Sequence, residues 1–228
     1  MSGNIHPIAQ IIRELSKVFT EMGFEIASGP EMDTAWYNFD ALNVPKDHPA
    51  RDMQDTFWIK DKEDSVMRTH TSNVQVRFME SHKPPFKIIA PGKAFRNEAT
   101  DATHEVQFHQ IDGLVVGKDI SVAHLKGTLE TFLKKLLGDD IEFRLRPGFF
   151  PFVEPGFEVD LKFRGKWMEV LGAGMVHPNV LRNGGIDPQE FSGFAFGVGA
   201  DRLAMMKYNI TDIRLFYNGD LRLHHNLK

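Results

Sequence analysis

The chain contains no cysteine. That absence excludes a disulfide framework, thiolate catalysis and thiolate metal sites together. No apolar run approaches the ~18 residues of a membrane span, and the first residues hold no apolar signal core. No membrane partner is therefore expected, and a cytoplasmic location is. An excess of basic residues is also missing: 27 Lys plus Arg stand against 31 Asp plus Glu, a formal net charge of −4. A general polyanion binder is excluded, and any nucleic-acid contact must rest on a local patch. HExxH and the Walker phosphate loop do not occur, and Gly197-Val-Gly199 lacks the third glycine and early βαβ unit of a dinucleotide fingerprint. The ten histidines have no paired ligand spacing. His104 and His109 are five apart and fall on opposite strand faces, so no zinc site is expected.

What is present reads as an ordinary globular chain. Its 228 residues are 42% hydrophobic and 25% charged, which suits one domain spanning 1–228. Phenylalanine is abundant: there are 19, many of them in two short segments. The chain opens with an amphipathic helix whose Ile8, Ile11, Ile12, Leu15, Val18, Phe19 and Met22 share one face. Pro7 suits its first turn and Gly23 its exit. Phe24 to Ala27 alternates like a strand and stops at Gly29-Pro30. Residues 43–64 form a long polar connection of the kind that is usually functional. Short strands are predicted at 86–90, 94–98, 105–110 and 113–116, a helix from near Ser121 to Gly138, and strands at 141–146, 157–163 and 167–172. A last helix starts after Gly199. Many short strands with few helices between them predict an α+β fold, an antiparallel sheet flanked by helices.

Three segments carry the chemistry. In the first, Arg96 and Glu98 share one strand face, and Phe108, Gln110 and Asp112 share the next, across a polar turn holding His104. An aromatic ring beside Arg and carboxylates makes a platform for a flat, charged ligand. In the second, Gly193 to Gly199 precede a helix with Arg202 in its first turn, where backbone can approach closely and anions are favoured. Arg202 there suits either a phosphate clamp or a surface ion pair. In the third, Arg146 to Pro155, three phenylalanines around two prolines form a rigid apolar wall with Glu154 beside it.

These segments resemble class II aminoacyl-tRNA synthetases, and among them the alpha-subunit family specific for phenylalanine. The resemblance runs through MGFEIASGPEM (22–32), NFDALNVPKDHPARDMQDTFW (38–58), MRTHTSNVQ (67–75), FRNEATDATHEVQFHQIDGLVV (95–116), RPGFFPFVEPGFEVD (146–160), MEVLGAGMVHP (168–178) and GFAFGVGADRLAM (193–205). It implies the class II synthetase fold and the activation of phenylalanine by ATP, with transfer to tRNA(Phe). Pro30 resembles the motif 1 proline of the subunit interface. By the same resemblance Arg96 holds the α-phosphate and the substrate carboxylate. Glu98 contacts the adenine amino group, His104 reaches the γ-phosphate and Phe108 stacks on adenine. Arg202 covers the other adenine face and pairs with the γ-phosphate. Glu169 and Glu154 match acidic positions near bound Mg2+. His70, Ser72, Gln75, Gln110 and Asp112 match residues around the ammonium and carboxylate. Phe150, Phe152, Val153 and Ala195 match the phenyl pocket, with Trp58 closing the site.

The sequence departs from the family at several points. Asp112 and Asp201 stand where the family usually has Glu, Gly148-Phe149 replaces a common Ser-Tyr pair, and the last residues, 221–228, lack the usual aromatic ending. The family's N-terminal coiled coil is not seen, nor is an editing or anticodon-binding domain, so a shortened or naturally minimal form is expected. Its assembly would use a beta subunit or a homodimer through motif 1, whose residues Phe24 to Met32 are expected not to face water. A non-ligating or altered-specificity paralogue that binds an amino acid or nucleotide is the alternative.

Overall fold

The computed structural model describes residues 5–52, 55–163 and 165–220; the chain ending at 221–228 lies outside them. Helix α1 (Pro7–Glu21) is capped by His6, whose Nδ1 accepts from the Ile8 N–H at 3.3 Å. It leaves at Gly23, whose φ of +84° is the left-handed region that suits glycine. A short strand β1 (Glu25–Ile26), then β2 (Met32–Thr34), α2 (Ala35–Asn38), β3 (Ser65–Met67) and α3 (Asn73–Ser81) follow. The remaining elements are β4 (Phe86–Phe95), β5 (Gln107–Gly117), α4 (Val122–Leu137), β6 (Phe143–Phe150), β7 (Val153–Phe163), β8 (Lys166–Val176), α5 (Pro178–Asn183), β9 (Ser192–Gly199) and α6 (Ala200–Tyr208).

Seven strands form one sheet in the order β1-β4-β5-β9-β8-β7-β6, and β2 pairs with β3 apart from it. The expected antiparallel sheet is mixed by one pair: β1 runs parallel to β4, at Glu25↔Ile88 and Ile26↔Ile89. The expected strand breaks at Pro91-Gly92 and Ile111-Asp112 do not occur. β1 covers β4 only at Ile88 and Ile89, so that edge is free at Pro91, where an edge strand tolerates proline. β4 ends at Phe95, so Arg96 and Glu98 stand in the loop beyond it rather than on the strand. β6 and β7 also run further than expected and meet in a tight turn at Pro151-Phe152, with an irregularity between Gly148 and Phe150.

The glycine-rich stretch that leads into α6 is itself a strand, near the middle of the sheet. Its alternation explains the composition. Phe194, Phe196 and Val198 enter the core under α1, α4 and α6, while Ala195 and Gly197 face the opposite side. Below the sheet, Phe19 of α1 stacks on Phe132 of α4 (4.9 Å) and on Phe196 (5.2 Å). Much of the phenylalanine surplus is spent here. Above the sheet, α2, α3 and α5 close a second core around Leu42, Met79, Leu114 and Val180. They cover only part of that face. The uncovered part, floored by small side chains, is open for a ligand.

Asp160 of β7 receives both Arg144 Nε (2.8 Å) and Arg146 Nε (2.7 Å), and the Arg146 contact holds its carboxyl below the usual range. This ties β6 to β7 and steadies the turn that carries Phe150 and Phe152.

Candidate active site

A cavity of about 570 Å³ lies on the open face, between the β5–β9–β8 floor, the β6–β7 turn and the loop after β4. The structure brings together the residues predicted from the sequence for the ligands, with Glu154 and Trp58 as the exceptions. His70, Ser72, Gln75, Arg96, Glu98, His104, Phe108, Gln110, Asp112, Phe150, Phe152, Val153, Glu169, Ala195 and Arg202 all line it. Glu154 is on β7 with a largely exposed side chain, 3.6 Å from His177 Nε2, and does not reach the cavity. Phe152 and Val153 face the cavity, and the alternation of β7 leaves the next residue, Glu154, outside. Trp58 does not close the site either. It stacks on Phe39 (6.4 Å), and its Nε1 donates to the Arg51 carbonyl at 3.1 Å.

One end is apolar. Phe150 and Phe152 lie 5.9 Å apart with their rings inclined by 23°, and Val153 and Ala195 are buried beside them. His70 stands 6.4 Å from the Phe152 ring. Burial, reinforced by the Arg96 charge, holds its imidazole down to about 3, so it is neutral at physiological pH. Its Nδ1 is buried and has no hydrogen-bond partner among the described residues.

A polar belt follows. Asp112 is 1% exposed and accepts from Ser72 Oγ and from Gln110 Nε2 (2.6 Å). Burial raises its pKa, while the two donors and the Arg68 charge oppose that rise. Gln75 donates to the Gly113 carbonyl at 3.3 Å. Ser72 and Gln75 are placed by α3, a helix the sequence pattern did not disclose.

The other end is charged. Arg96 sends Nε to the Thr69 carbonyl (3.2 Å), places Nη1 4.0 Å from Glu98 and lays its guanidinium over Phe108, 4.8 Å from the ring centroid. Arg202, in the first turn of α6, is exposed and donates to the Glu169 carbonyl at 3.2 Å. His104 sits in the loop against Asp101, whose Oδ1 accepts the Thr103 and His104 amides at 2.6 and 2.8 Å.

Several residues of the site were not anticipated. Ala50 and Asp55 reach the cavity from the long 43–64 connection, and Asp55 accepts the Asn97 amide at 3.1 Å. Arg68, 3% exposed, donates Nε to the Lys93 carbonyl (2.6 Å) and Nη1 to the carbonyls of Gly29 (3.2 Å) and Pro30 (3.3 Å). It passes across Gly92, where a Cβ would meet Nη2 at 2.1 Å. The Gly29-Pro30 segment is thereby fastened to β4 just before Arg96. Phe24 is buried within the chain, whereas Ile26 and Met32, expected to be covered, are exposed (58% and 40%).

Among the described residues no group of three or more His, Asp or Glu is arranged to hold a metal. A Mg2+ ion bound through phosphate oxygens and one carboxylate needs no such group, and Glu169 is a carboxylate residue on the cavity wall beside Arg202. No helix among the described residues is long and apolar enough to cross a membrane.

The family described as tRNA synthetases class II core domain (F) matches residues 1–227. The phenylalanine–tRNA ligase alpha subunit of Rhizorhabdus wittichii is 52% identical over 97% of this chain and 67% of its own length. That of Thermotoga petrophila is 54% identical over 96% of this chain and 67% of its own. The chain thus spans about two thirds of these relatives. Among solved structures, pyrrolysyl-tRNA synthetase from Desulfitobacterium hafniense superposes with a TM-score of 0.73 over 93% of this chain and 74% of that one, at 17% identity. At that identity the likeness speaks for the fold.

Proposed function

The chain belongs to the class II tRNA synthetase core family, and on that premise we propose that it activates phenylalanine with ATP and passes the product to tRNA(Phe). The observation that carries this reading is the polarity of a single cavity. An apolar end of Phe150, Phe152, Val153 and Ala195 and a charged end of Arg96 and Arg202 are separated by the Ser72–Asp112–Gln110 belt. An aromatic amino acid and a nucleotide fit it end to end.

In the first step a substrate carboxylate oxygen attacks the α-phosphorus of ATP. A phosphorus–oxygen bond forms, the bond to pyrophosphate breaks, and phenylalanyl-adenylate remains. Both reactants are anionic, so the protein's task is positioning and charge neutralisation. Arg96 is suited to it. With Nε fixed on the Thr69 carbonyl, its two terminal nitrogens are left to bind the carboxylate and the α-phosphate. Phe108 gives adenine a ring face, Glu98 takes the amino group, His104 serves the outer phosphates, and Arg202 pairs with the γ-phosphate. Glu169 would hold a Mg2+ ion, which would supply neutralisation of the phosphate charge. Asp112, with Ser72 and Gln110, orients the ammonium group, and neutral His70 lines the cavity nearby. In the second step a ribose hydroxyl of tRNA takes the aminoacyl group and the nucleotide leaves.

The acceptor explains the charge balance. A chain at −4 does not grip tRNA by general attraction, so partner surfaces supply that contact. The exposed Ile26 and Met32 suit a beta subunit or a second copy seated on the motif 1 side. The reaction belongs in the cytoplasm, where tRNA is charged. Calorimetric titration with phenylalanine, tyrosine, leucine and tryptophan tests the specificity. Phenylalanine should bind tightest, with tyrosine the nearest competitor because an apolar wall rejects a hydroxyl poorly. Preference for another amino acid, or binding without adenylate formation, would instead favour an altered-specificity or non-ligating paralogue.

A further inference from the structure

Behind the charged end lies a polar cluster that the chemistry does not use. Asp201, 2% exposed, precedes Arg202 at the start of α6. Its Oδ2 accepts the backbone amide of His109 at 2.6 Å, and its Oδ1 accepts the hydroxyl of Tyr217. The Tyr217 proton is committed to Asp201, so the Tyr217 oxygen can only accept from His109 Nδ1, which lies 3.1 Å away. A directed chain results, from His109 through Tyr217 to Asp201. The two rings lie nearly parallel, inclined by 7°. Burial raises the Tyr217 pKa and the Asp201 charge adds to the rise, so the hydroxyl keeps its proton.

Each end of this chain neighbours a nucleotide residue. His109 follows Phe108, and Asp201 precedes Arg202. Tyr217 itself follows a 3-10 turn (Ile213–Phe216) that touches the third nucleotide element. The Ile213 amide donates to the Ala102 carbonyl at 2.9 Å, one residue before Thr103-His104, and the Ile213 side chain lines the cavity. The turn is fixed in turn by His6, whose Nε2 lies 2.9 Å from the Phe216 carbonyl. Three separate elements thus meet on residues 213–217.

We propose that Tyr217 is a positioning residue for the nucleotide end of the cavity, its hydroxyl joining α6, β5 and the loop after β4 into one unit that sets Arg202, Phe108 and His104 relative to one another. The proposal rests on the synthetase reading above. Among the described residues no hydrogen bond of the cluster reaches Phe150 or Phe152, and its one link toward the amino-acid end is the backbone of His109, which precedes Gln110, so the larger effect falls on ATP.

The test is ATP–pyrophosphate exchange by the full chain, in the assembly that gives wild-type activity, with KM measured separately for ATP and phenylalanine. Tyr217→Phe removes only the hydroxyl and should raise KM for ATP about tenfold, the worth of one hydrogen bond to a charged group, with KM for phenylalanine within about twofold. His109→Leu should do the same. His109→Asn, whose amide can donate from near the Nδ1 position, should stay close to wild type. A merely structural role would move both KM values together and lower Tm. That outcome, or an unaltered KM for ATP in Tyr217→Phe and His109→Leu, overturns the proposal. If Tyr217→Phe does not fold, the His109 pair decides. Wild-type protein without phenylalanine-dependent exchange overturns the functional reading itself, and this proposal with it.

Discussion

Gln110 donates its Nε2 hydrogen to Asp112 Oδ1 at 2.6 Å, and both side chains sit over Gly197 of the neighbouring strand. A Cβ at Gly197 would lie 2.6 Å from that carboxylate oxygen and 2.9 Å from the amide nitrogen. The glycine therefore makes room for the pair that we assign to the substrate ammonium. Gly197→Ala should displace it at the usual overpacking cost of about 1–3 kcal/mol. KM for phenylalanine in the exchange reaction should rise roughly tenfold or more, with a smaller change for ATP. An unchanged KM for phenylalanine would detach Asp112 and Gln110 from the amino acid.

Arg202 is exposed, and its hydrogen bond to the Glu169 carbonyl is a modest anchor. Arg202→Ala should leave fold and phenylalanine binding nearly intact while lowering adenylate formation by at least about 100-fold, a loss typical of removed charge stabilisation. Stopped-flow adenylate formation beside calorimetric binding of phenylalanine separates the two effects. Wild-type rates in the variant would remove Arg202 from the mechanism.

Ala195 is 9% exposed at the apolar end. Ala195→Gly removes the methyl that limits its depth. Exchange with 4-chlorophenylalanine should rise relative to phenylalanine by about tenfold, the selectivity that one methylene-sized contact supplies. An unchanged ratio would displace Ala195 from the wall.

His70 gives a pH signature. Its folded pKa is held down to about 3 against an ordinary 6.5. Between those values the unfolded chain carries a proton that the folded chain does not. Stability therefore rises with pH through that window and is level above it. Urea titrations at pH 7.5 and pH 5 should show wild type losing more stability on acidification than His70→Gln, by on the order of 1 kcal/mol. Equal losses would mean that His70 protonates freely in the fold.

The site was far more legible in the sequence than the sheet that carries it. Phe108, Gln110 and Asp112 share a face by two-residue alternation alone, and the structure places all three on the cavity. Arg96 and Glu98 do meet there, but from a loop, because β4 stops at Phe95. Proline and glycine misled elsewhere. Pro91 read as an interruption although it lies on a free edge, and the glycines of 193–199 did not read as a strand, although Gly197 lies under the cavity where a side chain would meet Asp112 and Gln110. Glu154 was placed by its neighbours in the chain, but it follows Val153 on β7, and since Val153 faces the cavity the alternation of a strand leaves Glu154 outside. Helix α3 is polar enough that its short apolar face gave no clear period. Tyr217 lies 108 residues from His109, a pairing that no local pattern announces. For assembly the sequence offers the motif 1 resemblance alone, and Ile26 and Met32 on that segment are exposed.

The central claim is that one cavity joins phenylalanine to ATP. Phenylalanine-dependent ATP–pyrophosphate exchange tests it most directly, measured on the chain alone and with a partner subunit. Saturable exchange with phenylalanine, weaker with tyrosine and absent with leucine, is the predicted result. Binding of phenylalanine and ATP without exchange in either assembly would contradict the account.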